Sequence, residues 1–220
     1  RKQLDQAREE YETALALWPG NSEAHNKLGL VLARQGFLDD AICRYDEALR
    51  INPRNASAHN NMASALVETG ELDRAAEHYE QALLIEPELG PALNGLGVVK
   101  ARMERMDEAV EDFIQAIGLC PECSEPHNNL GRALTLQGYL EEAAVQIELA
   151  IKLSPENAEA YNNLGLICLQ IGAFEEALFY FATATYLRED YAKARANLHA
   201  TVLFLASQIA PAGTGPNTGP

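Results

Sequence analysis

The chain has 220 residues, and 17 Lys+Arg against 32 Asp+Glu give it a net charge of −15. That sign keeps a protein in solution and disfavours general attraction to nucleic acid, and no RNA- or DNA-binding module is recognisable. The longest apolar run, TVLFLA at 201–206, falls far short of a membrane span, and no charged-then-apolar leader opens the chain.

Residues 3–17 read as one helix, closed by Pro19. The opening RKQLDQ lacks an initiating Met, so a segment of a longer chain is expected. From residue 22 onward the helices come in pairs. Within SEAHNKLGLVLARQGFLDDAICRYDEALRINP (22–53), Leu28, Val31, Leu32 and Gln35 follow helical spacing, as do Leu38, Ile42, Tyr45, Ala48 and Leu49. Gly36 separates the two runs, as Gly70, Gly138 and Gly172 do further on, and Gly can take the left-handed conformation that ends a helix. Acids follow at once: Asp39 and Asp40, Asp73, Asp107 and Glu108, Glu141 and Glu142, Glu175 and Glu176. They suit the positive N-terminal end of a second helix. A proline then closes each pair.

The pattern recurs with a period of 34 residues, through Pro19, Pro53, Pro87, Pro121 and Pro155. Ala7, Ala41, Ala75, Ala109, Ala143 and Ala177 keep the same spacing, as do Ala14, Ala48, Ala82, Ala116, Ala150 and Ala184. So do Gly29, Ala63, Gly97, Gly131 and Gly165, each preceded by Leu or Met. Four columns in register over five copies resemble the tetratricopeptide repeat, a helix–turn–helix unit of this length. The boundaries are then five repeats at 22–55, 56–89, 90–123, 124–157 and 158–191. Residues 1–21 match the second half of a repeat, residues 192–209 match a capping first helix, and 210–220 are expected to be a disordered Gly/Pro/Thr tail. Small residues at the eighth, twentieth and twenty-seventh positions let helices approach closely. A single pair cannot bury its apolar stripe, so neighbours must stack. The resemblance implies an all-α right-handed α-solenoid whose first helices line a concave groove.

Asparagine fills the fifth repeat position throughout: Asn26, Asn60, Asn94, Asn128 and Asn162. The sixth reads Lys27, Asn61, Gly95, Asn129 and Asn163. Asn costs up to ~0.7 kcal/mol against Ala in a helix interior, so eight of them need a reason. They lie beyond the first turn and are poor cap candidates. The resemblance places positions two, five, six, nine, twelve and thirteen on the groove, where a ladder of amides would hold the backbone of an extended peptide. The competing reading is that the amides only bond the neighbouring helix. Lys27, Arg34, Arg102 and Arg132 add four cations to that face, so the expected ligand is a protein or peptide segment with acidic groups along repeats one to four. The carboxylate clamp of heat-shock chaperone adaptors does not match, because Lys is absent from position five and Asn from position nine. The asparagine run looks more like the arm of O-GlcNAc transferases, which implies a recruiting role beside a catalytic domain not present here.

The remaining motifs read as structural. Cys120 and Cys123 could bind zinc or be redox-active, but zinc needs four ligands and no second pair is suitably spaced, so they are read as loop positions beside Pro121. Four cysteines are too few for a disulfide scaffold, which makes a reducing, cytoplasmic setting the default. His25, His59 and His127 share the fourth repeat position and are read as packing residues. No catalytic set, cofactor motif or metal cluster stands out, and the segment is expected to be non-catalytic. Repeat three departs most, with Pro91, Gly95, and Glu104 where Gly is expected. Its weakness, or room for a ligand side chain at Gly95, would explain this. The final helix carries Val202, Leu203, Phe204, Leu205 and Ile209 on more than one side, so self-association through terminal helices, or an architectural role, is a further expectation.

Overall fold

In the computed structural model the described residues are 2–209, with the Ile209 side chain outside them. Residues 210–220, read above as a disordered tail, also lie outside the described residues. Every element among the described residues is a helix, and the chain divides into two compact units, Arg1–Pro121 and Glu122–Pro220. Unit 1 holds α1 (Lys2–Leu17), α2 (Ser22–Arg34), α3 (Leu38–Ile51), α4 (Ala56–Thr69), α5 (Leu72–Ile85), α6 (Gly90–Arg102) and α7 (Met106–Leu119). Unit 2 holds α8 (Ser124–Gln137), α9 (Leu140–Leu153), α10 (Ala158–Gln170), α11 (Phe174–Leu187) and α12 (Ala192–Ile209). The pairs α2–α3, α4–α5, α6–α7, α8–α9 and α10–α11 are hairpins, and within each unit successive hairpins stack side by side.

Glycine makes the turns. Gly36, Gly70, Gly138 and Gly172 sit at φ of 81–87°, in the left-handed region that costs a side-chain-bearing residue most. Repeat three has no glycine there, and Glu104 takes φ 63° instead. Asparagine starts three first helices. The Asn21 side chain accepts from the Ala24 N–H at 3.1 Å, Asn55 from Ala58 at 3.0 Å, and Asn157 from Glu159 and Ala160. Such caps contribute about 1 kcal/mol each. The second helices have no side-chain cap and carry acids in the first turn instead.

Small residues set how closely the two helices of a hairpin approach. Ala41, Ala75, Ala109, Ala143 and Ala177 are fully buried, and so is the following alanine column at 48, 82, 116, 150 and 184. At position eight, Gly29 lies under the Tyr45 ring, Gly97 under Phe113, Gly131 under Ile147 and Gly165 under Phe181. A Cβ on Gly29 would sit 2.5 Å from Tyr45 Cε1, closer than carbon atoms can pack. Repeat two has Ala63 here, and its ring, Tyr79, lies against Gly95 of α6. The space at Gly95 is therefore filled by Tyr79, not left open for a ligand side chain.

Repeat three also carries an ion pair in its core. Lys100 Nζ lies 2.7 Å from Asp112 Oδ2, with both side chains nearly enclosed. Lys100 occupies the column filled by Leu32 and Leu66 in the preceding repeats. Burial pushes the Asp112 carboxyl above its ordinary range, and Lys100 opposes that shift. Buried pairs of this kind rarely add stability over apolar residues. The Cys-x-x-Cys departs from expectation: Cys120 and Cys123 are disulfide-bonded, while Cys43 and Cys168 are free.

Glu104→Gly should relieve the left-handed strain and stabilise unit 1 by about 1 kcal/mol. Urea unfolding would read this as a higher midpoint at unchanged slope. An unchanged midpoint would show that Glu104 is not strained.

Candidate peptide-binding site

The first helices of neighbouring hairpins lie alongside one another in each unit, so position five of one repeat and position six of the next are 35 residues apart and face each other. In unit 1, Asn61 Nδ2 donates to Asn26 Oδ1 at 2.9 Å. In unit 2, Asn163 Nδ2 donates to Asn128 Oδ1 at 3.0 Å, and Asn197 Nδ2 to Asn162 Oδ1 at 2.9 Å. Asn26 is 1% exposed, and Asn128, Asn162 and Asn163 are 4–6% exposed. This corrects the expectation that these four stand open on the groove: their amides tie hairpins together. Helical phase alone turned them away from the Leu–Gly seam, but the adjacent first helix covers them. Asn94 and Asn129 are half-buried and engaged with partners.

Asn60 differs. Position six of the next repeat is Gly95, so no amide arrives from α6. Asn60 Nδ2 reaches Asn61 Oδ1 at 3.4 Å, and among the described residues nothing donates to the Asn60 carbonyl.

A second polar chain runs along the helix starts, and the sequence reading missed it. Asn55 Nδ2 donates to Ser22 Oγ at 3.3 Å, and Ser22 Oγ donates to the Ala48 carbonyl at 2.8 Å. Asn157, Ser124 and the Ala150 carbonyl repeat the arrangement in unit 2, at 3.4 and 2.9 Å. The signal was present: Asn immediately before a first helix at 21, 55 and 157, and Ser opening the repeat at 22 and 124. Leu89 and Gly90 break that pattern at the start of repeat three.

The cations lie mostly in unit 1. Arg34 is exposed and lines a groove of about 250 Å³ with Leu30, Tyr45, Asn61, Ser64 and Glu68. Among the described residues no ion pair forms between Arg34 and Glu68. Burial raises the hydroxyl of Tyr45, which lines the groove, to about 12, and does the same to Tyr79, whose hydroxyl lies beside Ser64. Lys27 is exposed and lies 3.3 Å from Glu23 one turn earlier. Arg102 Nη1 donates to the Val67 carbonyl at 3.1 Å, which fixes its head over the same side of α4. In unit 2, Arg132 is half-buried. The hollow of about 380 Å³ there is lined by Ser124, Asn128, Asn129, Asn157 and two exposed carboxylates, Glu125 and Glu159.

The fourth-position histidines pack as expected and are also bonded. His25 Nε2 and His59 Nε2 lie 3.0 and 3.1 Å from the Pro19 and Pro53 carbonyls. His127 Nδ1 lies 2.8 Å from Gln146 Oε1, and His59 Nδ1 lies 2.9 Å from His78 Nδ1. Among the described residues no group of three or more His, Cys, Asp or Glu could hold a metal, and no helix is long and apolar enough to cross a membrane. On α12, Val202, Leu203 and Phe204 are exposed, Leu205 is half-buried, and Phe204 stacks on Phe174 at 4.8 Å.

Stacked helical hairpins, tied by amide bonds between their first helices, define an all-α repeat solenoid. Tetratricopeptide repeat models match residues 32–93, and again 90–123 and 158–191; a further TPR repeat model matches 1–36 and 131–172. The chain belongs to the tetratricopeptide repeat family. Among solved structures, the APC/C hetero-tetramer Cut9–Hcn1 superposes with a TM-score of 0.85 at 19% identity. That match covers 91% of this chain and 40% of the other, so the chain spans about two fifths of its length. TTC0263, a TPR protein of Thermus thermophilus, matches with a TM-score of 0.74 and 20% identity over 83% of this chain and all of that one. YrrB, described as a TPR protein with an unusual peptide-binding site, has a TM-score of 0.61 and 24% identity over 87% and 97%. At these identities the likeness is one of fold. No curated protein matches the chain.

The Ala63–Tyr79–Gly95 arrangement makes a sharp test. Gly95→Asn should destabilise unit 1 by about 1–3 kcal/mol, because its side chain meets the Tyr79 ring. Adding Ala63→Gly should recover part of the loss by letting the ring settle as Tyr45 does over Gly29. A cycle of unfolding midpoints with no recovery would refute the coupling.

Proposed function

We propose that unit 1 holds an extended acidic segment of a partner protein against α2, α4 and α6, and that this part of the chain performs no chemistry of its own. The observation that supports this reading is the groove lined by Arg34, which forms no ion pair among the described residues; Arg102, held on the Val67 carbonyl of α4, and the Asn60 carbonyl, to which no described residue donates, add to it. An amide carbonyl accepts from a ligand backbone N–H, and guanidinium groups receive carboxylates in forked geometry. The expected contacts are Lys27, Arg34, Asn60, Asn61, Arg102 and, in part, Asn94. Asn26 supports the site by tying α2 to Asn61 of α4, and Asn128, Asn162 and Asn163 do the same work between the hairpins of unit 2. Asn129 and Arg132 lie on unit 2, whose hollow is acidic and less suited to the same ligand. The fold is one used by protein–protein interaction scaffolds.

The other readings have less support. A recruiting arm of the O-GlcNAc transferase kind would need a row of open amides, and most of these amides are spent between helices. Completion of a repeat by a second copy would seat its Tyr11 over position eight of α12. That position is His199, whereas every ring in that place elsewhere covers a glycine or is displaced by Ala63.

Selection of a random peptide library on the chain should enrich segments rich in Asp and Glu. The double variant Arg34→Glu, Arg102→Glu should bind the selected peptides at least about tenfold more weakly, which is about 1.4 kcal/mol. Asn60→Ala should weaken binding without lowering the unfolding free energy by more than a few tenths of a kcal/mol, as for a surface change. Enrichment of basic peptides, or undiminished binding by the charge-reversed variant, would contradict the proposal.

A further inference from the structure

The contact between His59 on α4 and His78 on α5 has a property that the equivalent contacts lack. In two other hairpins, position four meets a residue other than histidine nineteen residues on. His127 meets Gln146, and Tyr161 meets Tyr180. At the second repeat both partners are imidazoles, each able to donate or accept at Nδ1. Their Nδ1 atoms are 2.9 Å apart, and the rings are tilted by 37° with centroids 5.2 Å apart.

The hydrogen count of this pair is fixed by a third atom. His59 Nε2 lies 3.1 Å from the Pro53 carbonyl, which only accepts, so His59 Nε2 carries a hydrogen. With His59 neutral, its Nδ1 is bare and must accept from a protonated His78 Nδ1. With His59 cationic, its Nδ1–H must donate to a bare His78 Nδ1. In either arrangement one hydrogen lies between the rings. If both rings are cations, two N–H groups point at each other across 2.9 Å and the contact cannot persist. The pair therefore tolerates one added proton and not two.

We propose that the His59–His78 contact is a proton-sensitive latch that closes the α4–α5 hairpin at neutral pH and releases it in acid. Both residues are half-buried. The groups that act on His78 are His59 from α4, Arg74 and Glu77 from α5, and Asp46 from α3. Burial is the largest influence and lowers its affinity for a proton, His59 and Arg74 add to that, and Asp46 and Glu77 oppose it. A histidine depressed below its unfolded value of about 6.5 contributes stability that is complete above that pH and is lost as pH falls through the lower folded value. The same helix carries Asn60 and Asn61 in the next two positions, so release of the latch would disturb α4 at the groove. The latch does not depend on what the groove binds.

Two measurements on the full chain test it. In the wild type, NMR titration of the imidazole Cε1–H signals should show His59 and His78 as a coupled pair, with two separated steps, the lower one below the ordinary imidazole midpoint. In His78→Gln, which copies the His127–Gln146 contact, His59 should titrate in a single step. Urea midpoints between pH 8 and pH 5 should fall more steeply for wild type than for His78→Gln, while His127→Gln should leave the steep wild-type slope in place. Independent titration of His59 and His78 at one ordinary midpoint in the wild type would overturn the proposal. So would identical pH slopes for wild type and His78→Gln. The wild-type titration decides the matter even if the variant folds poorly.

Discussion

Everything in this fold depends on how near the two helices of a hairpin can come. The limit is set by a missing Cβ at position eight, over which one ring or branched chain from the second helix lies. Tyr45, Phe113, Ile147 and Phe181 are all essentially inaccessible to water in that place. Full burial of such a side chain contributes roughly 1.5–3 kcal/mol. The second-helix alanines are buried with it, because nothing larger fits once the ring has settled. Repeat two shows how tightly the constraint is shared. A single methyl at Ala63 displaces the ring outward, and the neighbouring helix answers with Gly95. That glycine in turn removes one amide from the inner ladder and leaves the Asn60 carbonyl without a donor.

Hydrophobic stacking alone would allow hairpins to slide, since apolar contacts have no direction. Two lines of hydrogen bonds remove that freedom. One joins first helices through the amides at positions five and six. The other joins the cap asparagines Asn55 and Asn157 to the serines opening the previous repeats, Ser22 and Ser124. Both lines are intact between repeats one and two, and between repeats four and five. Both are absent between repeats two and three, where Gly95, Leu89 and Ala56 replace the polar residues. The same region holds the left-handed Glu104 and the enclosed Lys100–Asp112 pair. These are the structural departures that accompany the sequence departures of repeat three.

Much of the architecture was legible because it is written as columns. The prolines, the turn glycines and the two alanine columns each act within one hairpin, and a local pattern reports a local constraint. The asparagines were harder, because their partners lie 35 residues away on another helix. Helical phase correctly turned positions five and six off the Leu–Gly seam. It could not show that the neighbouring first helix closes over position five. The choice between ligand contact and inter-helix bond was open in the sequence, and for Asn26, Asn128 and Asn162 the geometry favours the bond. The Ser22 and Ser124 links were readable in principle, but their significance appears only once the Ala48 and Ala150 carbonyls, which already accept from the Asn52 and Ser154 N–H groups near the helix ends, are seen to accept the serine hydroxyls as well. The disulfide-bonded state of Cys120 and Cys123 could not be read from two cysteines flanking a proline.

The proposed binding face is narrower than a continuous amide ladder and more strongly marked by charge. It comprises Lys27, Arg34 and Arg102 on unit 1 and Asn60, to whose carbonyl nothing donates among the described residues. This division of labour, with most asparagines holding register and Asn60 facing out, is tested most directly by a double-mutant cycle on Asn128 and Asn163. Urea unfolding of Asn128→Ala, Asn163→Ala and the pair should give a favourable coupling of about 1 kcal/mol, the net worth of one buried amide bond. Strictly additive losses would mean that the two amides do not hold each other, and that the asparagines do not set hairpin register.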